Sequence, residues 1–164
     1  MKILNHRQIK QKIKRLAIQI VEEHYREESI VLAGINNNGY HFAQMLESEL
    51  LALERVTPVL TRIRLNPANP LGQEIQVEHP LEQLHDKVVI IVDDVANTGR
   101  TIFYACKPIL NIIPKKLEVA VLVDRTHKSF PVKVDYVGLS LATTLREHIE
   151  VHIRDVEEYE ALLT

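Results

Sequence analysis

Apolar positions along the chain fall into two rhythms that alternate from end to end. Ile9, Ile13, Leu16, Ala17, Ile20 and Val21 recur at helical spacing with Lys and Arg between them. Residues 5 to 25 are therefore predicted as an amphipathic helix with Asn5 as its cap. Residues 30 to 35 form a short unbroken apolar run, read as a strand. It leads through the polar turn Gly34-Ile35-Asn36-Asn37-Asn38-Gly39 into a second helix marked by Phe42, Ala43, Met45, Leu46 and Leu50. Residues 59 to 65 alternate as a strand carrying Arg62 and Arg64, residues 66 to 72 loop around Pro67 and Pro70, and residues 74 to 78 return as a strand. Five consecutive branched residues, 88 to 92, predict a strand buried on both faces and ending at Asp93. A helix to about residue 113, strands over 117–123, 134–139 and 149–153, and a short terminal helix complete the pattern. Such alternation predicts one α/β domain over residues 1–164. If the strands at 30–35 and 88–92 are neighbours, their following turns lie side by side at the carboxyl edge, where open α/β sheets bind ligands.

Composition narrows the setting. With 46% hydrophobic and 26% charged residues the chain reads as an ordinary globular protein. No apolar stretch approaches the roughly 20 residues that a membrane span needs, so no membrane partner is expected. The first residues lack the apolar core of a signal peptide, and the one cysteine, Cys106, cannot form an internal disulfide. Both point to the cytoplasm. A net charge of −2 gives no global basic field for nucleic acid, although Lys10, Lys12, Lys14 and Arg15 form a local basic helix face.

The chemistry concentrates after the buried run, in Asp93-Asp94-Val95-Ala96-Asn97-Thr98-Gly99-Arg100-Thr101. Two adjacent acids repel one another unless a cation or a hydroxyl-rich group lies above them. The turn that follows offers hydroxyls and free backbone N–H groups at a helix start, an arrangement that attracts a phosphate dianion.

An apolar strand, two acids, a few small residues and then Thr-Gly-x-Thr resembles the signature of the type I phosphoribosyltransferases, and residues 88 to 102 match it without a gap. Residues 122 to 138, Leu-Val-Asp-Arg-Thr-His-Lys-Ser-Phe-Pro-Val-Lys-Val-Asp-Tyr-Val-Gly, are similar to the segment that follows this motif in the branch of pyrimidine-operon regulators that also act as uracil phosphoribosyltransferases. The resemblance implies the family's Rossmann-like fold: a mostly parallel central sheet flanked by helices, with a small hood and a flexible loop. It implies transfer of phosphoribose from 5-phosphoribosyl 1-diphosphate (PRPP) to a nucleobase, with Mg²⁺ held mainly by PRPP near Asp93 and Asp94. Those acids would approach the ribose hydroxyls, and residues 95 to 101 would wrap the 5-phosphate. Asn36, Asn37, Asn38 and Gly39 would form the diphosphate turn, and Arg64 would swing over diphosphate as the mobile loop closes.

Arg125, Asp135, Tyr136, Val137 and Gly138 fall where base-side contacts are expected; an Arg125–Asp135 pair tying two strand ends together is the alternative reading. The family further implies a homodimer or tetramer and, in the regulatory branch, an RNA partner. Three departures stand out. Relatives in this branch carry Thr-Arg where Asn37-Asn38 stand, so a cation is missing; residues 66 to 86 are shorter than the corresponding stretch; and purine-specific members place an aspartate, their general base, where Asn97 stands. Asn cannot accept that proton, which favours a pyrimidine such as uracil. Two functions follow: a salvage enzyme, or a regulator that senses PRPP or nucleotide with weak or no catalysis.

Overall fold

The apolar runs pair as their lengths require. In the computed structural model, which describes all 164 residues, the elements are β1 (Lys2–Leu4), α1 (His6–His24), β2 (Ser29–Ile35), α2 (Asn36–Leu53), β3 (Thr57–Arg64), β4 (Gln76–Val77), β5 (Val88–Ala96), α3 (Arg100–Ala105), β6 (Lys116–Arg125), β7 (Tyr136–Leu141), β8 (Ile149–His152) and β9 (Glu160–Leu163). The main sheet has the order β4-β3-β2-β5-β6-β7 and is parallel except for β4, which returns antiparallel on the edge. Strand order reverses between β2 and β5, and the crevice at that point is the binding position of such sheets.

Both faces of the sheet are covered, which explains why its central strands carry no polar alternation. Ile9, Leu16 and Ile20 of α1 and Phe42, Leu46 and Leu50 of α2 pack on one face against Leu32, Ile90 and Leu122. Ile102, Ala105 and Ile109 cover Val31, Ile91 and Val121 on the other. The predicted cap of α1 is present as a capping box: Asn5 Oδ1 accepts from the Gln8 backbone and the Gln8 side chain accepts from the Asn5 backbone, both at 2.9 Å.

Four expectations are corrected. β5 does not end at Asp93 but continues to Ala96, because β6 goes on pairing with it (Val95 with Val123, Ala96 with Asp124) after β2 has stopped at Gly34–Val92. The helix expected to reach residue 113 is only six residues long and gives way to a 3₁₀ turn at Pro108–Asn111, where proline has no N–H to continue the ladder. The second helix begins at Asn36, so the three asparagines are its first turn rather than a separate loop. The terminal helix is instead β9, paired antiparallel with both β1 and β8 in a three-stranded sheet. That small sheet is the expected hood, and its Ile149 reaches over the carboxyl edge of the main sheet.

Candidate active site

One cleft of about 440 Å³ at the β2–β5 crevice is lined by Asn36, Asn37, Asn38, Asp93, Asp94, Val95, Asn97 and Thr101, with Pro67 and Ile149 at its rim. Both acids sit in the part of β5 that pairs only on the β6 side. Asp93 Oδ1 accepts from the Asp94 N–H and Asp94 Oδ1 from the Val95 N–H, each at 2.9 Å. Each carboxylate is thus fixed by its own strand through one oxygen. Burial first, and then the charge of Asp94 beside it, push the Asp93 pKa well above the ordinary carboxylate value. Negative charge is held here against its electrostatic preference, which makes the pair receptive to hydroxyl donors or a cation.

Gly39 lets α2 come close to this pair: a Cβ there would stand 2.6 Å from the Val92 carbonyl oxygen and 3.3 Å from Asp93 Oδ1. The three asparagines before it do different things. Asn36 has φ 52°, a left-handed conformation that asparagine tolerates, and its amide makes a reciprocal pair with the Leu65 backbone at 2.9 and 3.0 Å. Its side chain is therefore committed to holding the end of β3 and is removed from the expected diphosphate contacts. Asn37 Oδ1 accepts from Arg62 at 3.1 Å, and Asn38 Nδ2 donates to Asp94 at 3.4 Å. Because Ile35, at the cap position, supplies no side-chain acceptor, the first N–H groups of this 18-residue helix are left for another partner.

The turn after β5 is held from behind. The Thr98 carbonyl accepts from the Ser129 and Phe130 N–H groups at 2.9 and 3.1 Å, and Gly99 takes φ 87°, a conformation that a side chain would strain. Asn97 and Thr101 line the cleft; Thr98 and Arg100 are exposed beside it, and Ala96 and Gly99 are buried beneath.

The base-side set does not converge. Arg125, at the carboxyl end of β6, donates to Thr143 Oγ1 at 2.6 Å and to the Thr144 carbonyl at 2.8 Å, pinning the segment after β7 at the correct edge of the sheet. Asp135 instead accepts from the Val119 N–H at 2.9 Å, and the Tyr136 hydroxyl donates to Glu118 at 3.0 Å. Both lie toward the amino ends of β6 and β7, so the base-side role of Asp135 and Tyr136 is withdrawn, as is the Arg125–Asp135 pair. Val137 pairs with Val121, which pairs with Asp93, so Val137 and Gly138 are level with the acids two strands across.

Arg64 is exposed and held by Glu78 at 2.9 Å, beside a second cavity of about 540 Å³ that it lines together with Asn36 and Asn37. Arg62, which the strand pattern merely placed on the same face as Arg64, stacks on Tyr40 with its guanidinium carbon 3.9 Å from the ring centroid and reaches the asparagine turn. The sequence shows only part of this: Arg55 is the first Lys or Arg after Arg26, so any cation at the asparagine turn has to come from another element.

Asp93 and Asp94 offer the hard oxygen donors that Mg²⁺ prefers, and no group of three His, Cys, Asp or Glu side chains is placed to hold a metal alone. The acid pair therefore fits a cation that brings most of its own ligands.

The phosphoribosyl transferase domain model matches residues 1–156, and the chain belongs to that family. Among curated proteins it is 33% identical over 163 residues to the bifunctional protein PyrR of Streptococcus suis, covering 98% of this chain and 94% of that one. It is 35% identical over 162 residues to bifunctional protein PyrR of Latilactobacillus sakei, covering 90% and 88%. In fold it is similar to hypoxanthine phosphoribosyltransferase of Trypanosoma cruzi, with TM-score 0.75, 19% identity and coverage of 91% and 84%. A hypoxanthine-guanine phosphoribosyltransferase of Bacillus anthracis matches with TM-score 0.71, 22% identity and coverage of 85% and 81%.

Proposed function

We propose that the protein transfers phosphoribose from PRPP to uracil with Mg²⁺ in the cytoplasm. The observation that carries this reading is the convergence of Asp93, Asp94, Asn97, Thr101 and the first turn of α2 on one cleft under the hood. The acids accept the ribose 2- and 3-hydroxyls and, as the bond from C1 to diphosphate breaks, lower the energy of positive charge on the ring. Residues 97 to 101 hold the 5-phosphate through N–H and hydroxyl donors, which fixes C1 relative to the attacking nitrogen. Asp93 and Asp94 would hold Mg²⁺ together with PRPP, and the ion, when bound, would supply charge neutralisation for the diphosphate. Val137 and Gly138 offer a backbone edge to the base, and Asn97 in place of a proton-accepting acid favours uracil over a 6-oxopurine.

The test is diphosphate release from PRPP and Mg²⁺ with uracil, hypoxanthine, guanine, xanthine or orotate in turn. Release with uracil is expected; release with none of the five removes the enzyme reading. A second reading, a regulator that senses PRPP and binds RNA, is favoured by Asn36 being committed to Leu65 and Arg64 to Glu78, which leaves diphosphate fewer ligands. It predicts PRPP binding by calorimetry without turnover, and RNA binding that weakens when Lys12 and Lys14 are replaced.

A further inference from the structure

Arg62 holds the only buried side-chain nitrogen or oxygen in the molecule without a hydrogen-bond partner, its Nε. Burying an unmade charged donor is costly, and such a donor on a side chain hydrogen-bonded to Asn37, which lines the cleft, calls for an explanation. The side chain is 18% exposed and is fixed in orientation by the Tyr40 ring at 3.9 Å. One terminal nitrogen donates to Asn37 Oδ1 at 3.1 Å, and Gly34 pairs with Arg62 across β2 and β3, so the guanidinium stands beside the open N-terminus of α2. Glu78 Oε1 lies 3.7 Å from Nε, too far for a hydrogen bond, and the same oxygen is already taken by Arg64 at 2.9 Å. Nε is thus a donor with charge nearby but no bond made.

We propose that Arg62 supplies the positive charge that binds the diphosphate of PRPP, in place of the cation that the asparagine turn lacks. The inference rests on the PRPP reading above and assigns its diphosphate subsite to a residue of β3. Tyr40 keeps the guanidinium plane in place, so little rotamer freedom is lost when ligand arrives. Glu78 holds the arginine loosely and releases it to a more highly charged partner.

The experiment measures, by calorimetry on the full chain with Mg²⁺, the affinities of PRPP, inorganic diphosphate and ribose 5-phosphate for wild type, R62Q and the double variant R62Q/N38R. R62Q is expected to weaken PRPP and diphosphate by roughly 10- to 100-fold, the range of one charge-assisted contact, and ribose 5-phosphate by less than about twofold. Returning a cation to the turn with N38R is expected to recover most of the loss. R62Q binding PRPP like wild type, or losing ribose 5-phosphate equally, overturns the inference, and so does a double variant that recovers nothing. A wild type that binds ribose 5-phosphate but neither PRPP nor diphosphate overturns it while sparing the sugar-phosphate site; a wild type that binds none of the three removes the PRPP reading as well.

Discussion

At the amino ends of β6 and β7, Glu118 is 4% exposed and meets His24 of α1, the Tyr136 hydroxyl at 3.0 and 3.2 Å, and Lys116 at 3.5 Å. At the carboxyl ends of β2 and β5, Asp93 is recessed next to a second carboxylate, and no cation bonds to it. Both ends put ionisable groups into low dielectric, yet only the first supplies every partner. Burial, followed by the charge of Glu118, pushes the Tyr136 pKa far up, so its proton stays on the phenol and the bond to Glu118 is kept. The amino end uses its polar groups to lock α1 onto the sheet. The carboxyl end leaves its own unfinished, and a ligand can complete them.

Four experiments press on this contrast. The largest effect belongs to Asp93→Asn with Asp94→Asn: transfer measured by diphosphate release is expected to fall roughly 10³-fold or more, with circular dichroism unchanged. Normal turnover would remove the ribose role. At the opposite end, Glu118→Ala strands His24 and Tyr136 and is expected to cost about 3 kcal/mol, lowering Tm by roughly 6–12 °C with PRPP affinity unchanged in the folded protein; loss of affinity at full stability would reverse the assignment of the two ends. On the proposed reading Thr98 donates to the 5-phosphate, a contact worth roughly 1.5 to 3 kcal/mol, so Thr98→Ala should raise the PRPP Kd at least about tenfold by calorimetry.

The smallest effect is on stability and has a defined sign. The folded state raises the Asp93 pKa, so its contribution to stability is present below the ordinary aspartate value and is lost as pH rises through the folded value. Asp93→Asn should therefore raise Tm at pH 7–8 by about 2–4 °C, the shift produced by about 1 kcal/mol in a domain of this size. The gain should vanish in acid. A variant less stable than wild type at pH 8 would show that Asp93 serves the fold rather than the ligand.

The parallel core was legible because burial on both faces writes itself as continuous apolar sequence, as in residues 88 to 92. That this run neighbours residues 30 to 35 stood only as a condition for the two turns to meet, and the β2–β5 register meets that condition. The last strand of the hood escaped because Glu-Ala-Leu-Leu has helical propensity, and only pairing with β1 and β8 makes it a strand. Asp135 and Tyr136 were misplaced for a related reason: a motif gives order along the chain, whereas the level of a residue across a sheet depends on register. Arg62 was hidden by the same limit, since its link to Asn37 spans two elements that the linear pattern does not join.

β1 and β9 pair Lys2 with Leu162 and Leu4 with Ala161, so the roof over the cleft is stitched from opposite ends of the sequence. Contacts of such separation carry the greatest loop-closure cost and form late. During synthesis the parallel sheet and its acid pair therefore take shape before the roof exists. In the finished protein these short strands are where amide hydrogens should exchange first, ahead of the parallel sheet beneath them.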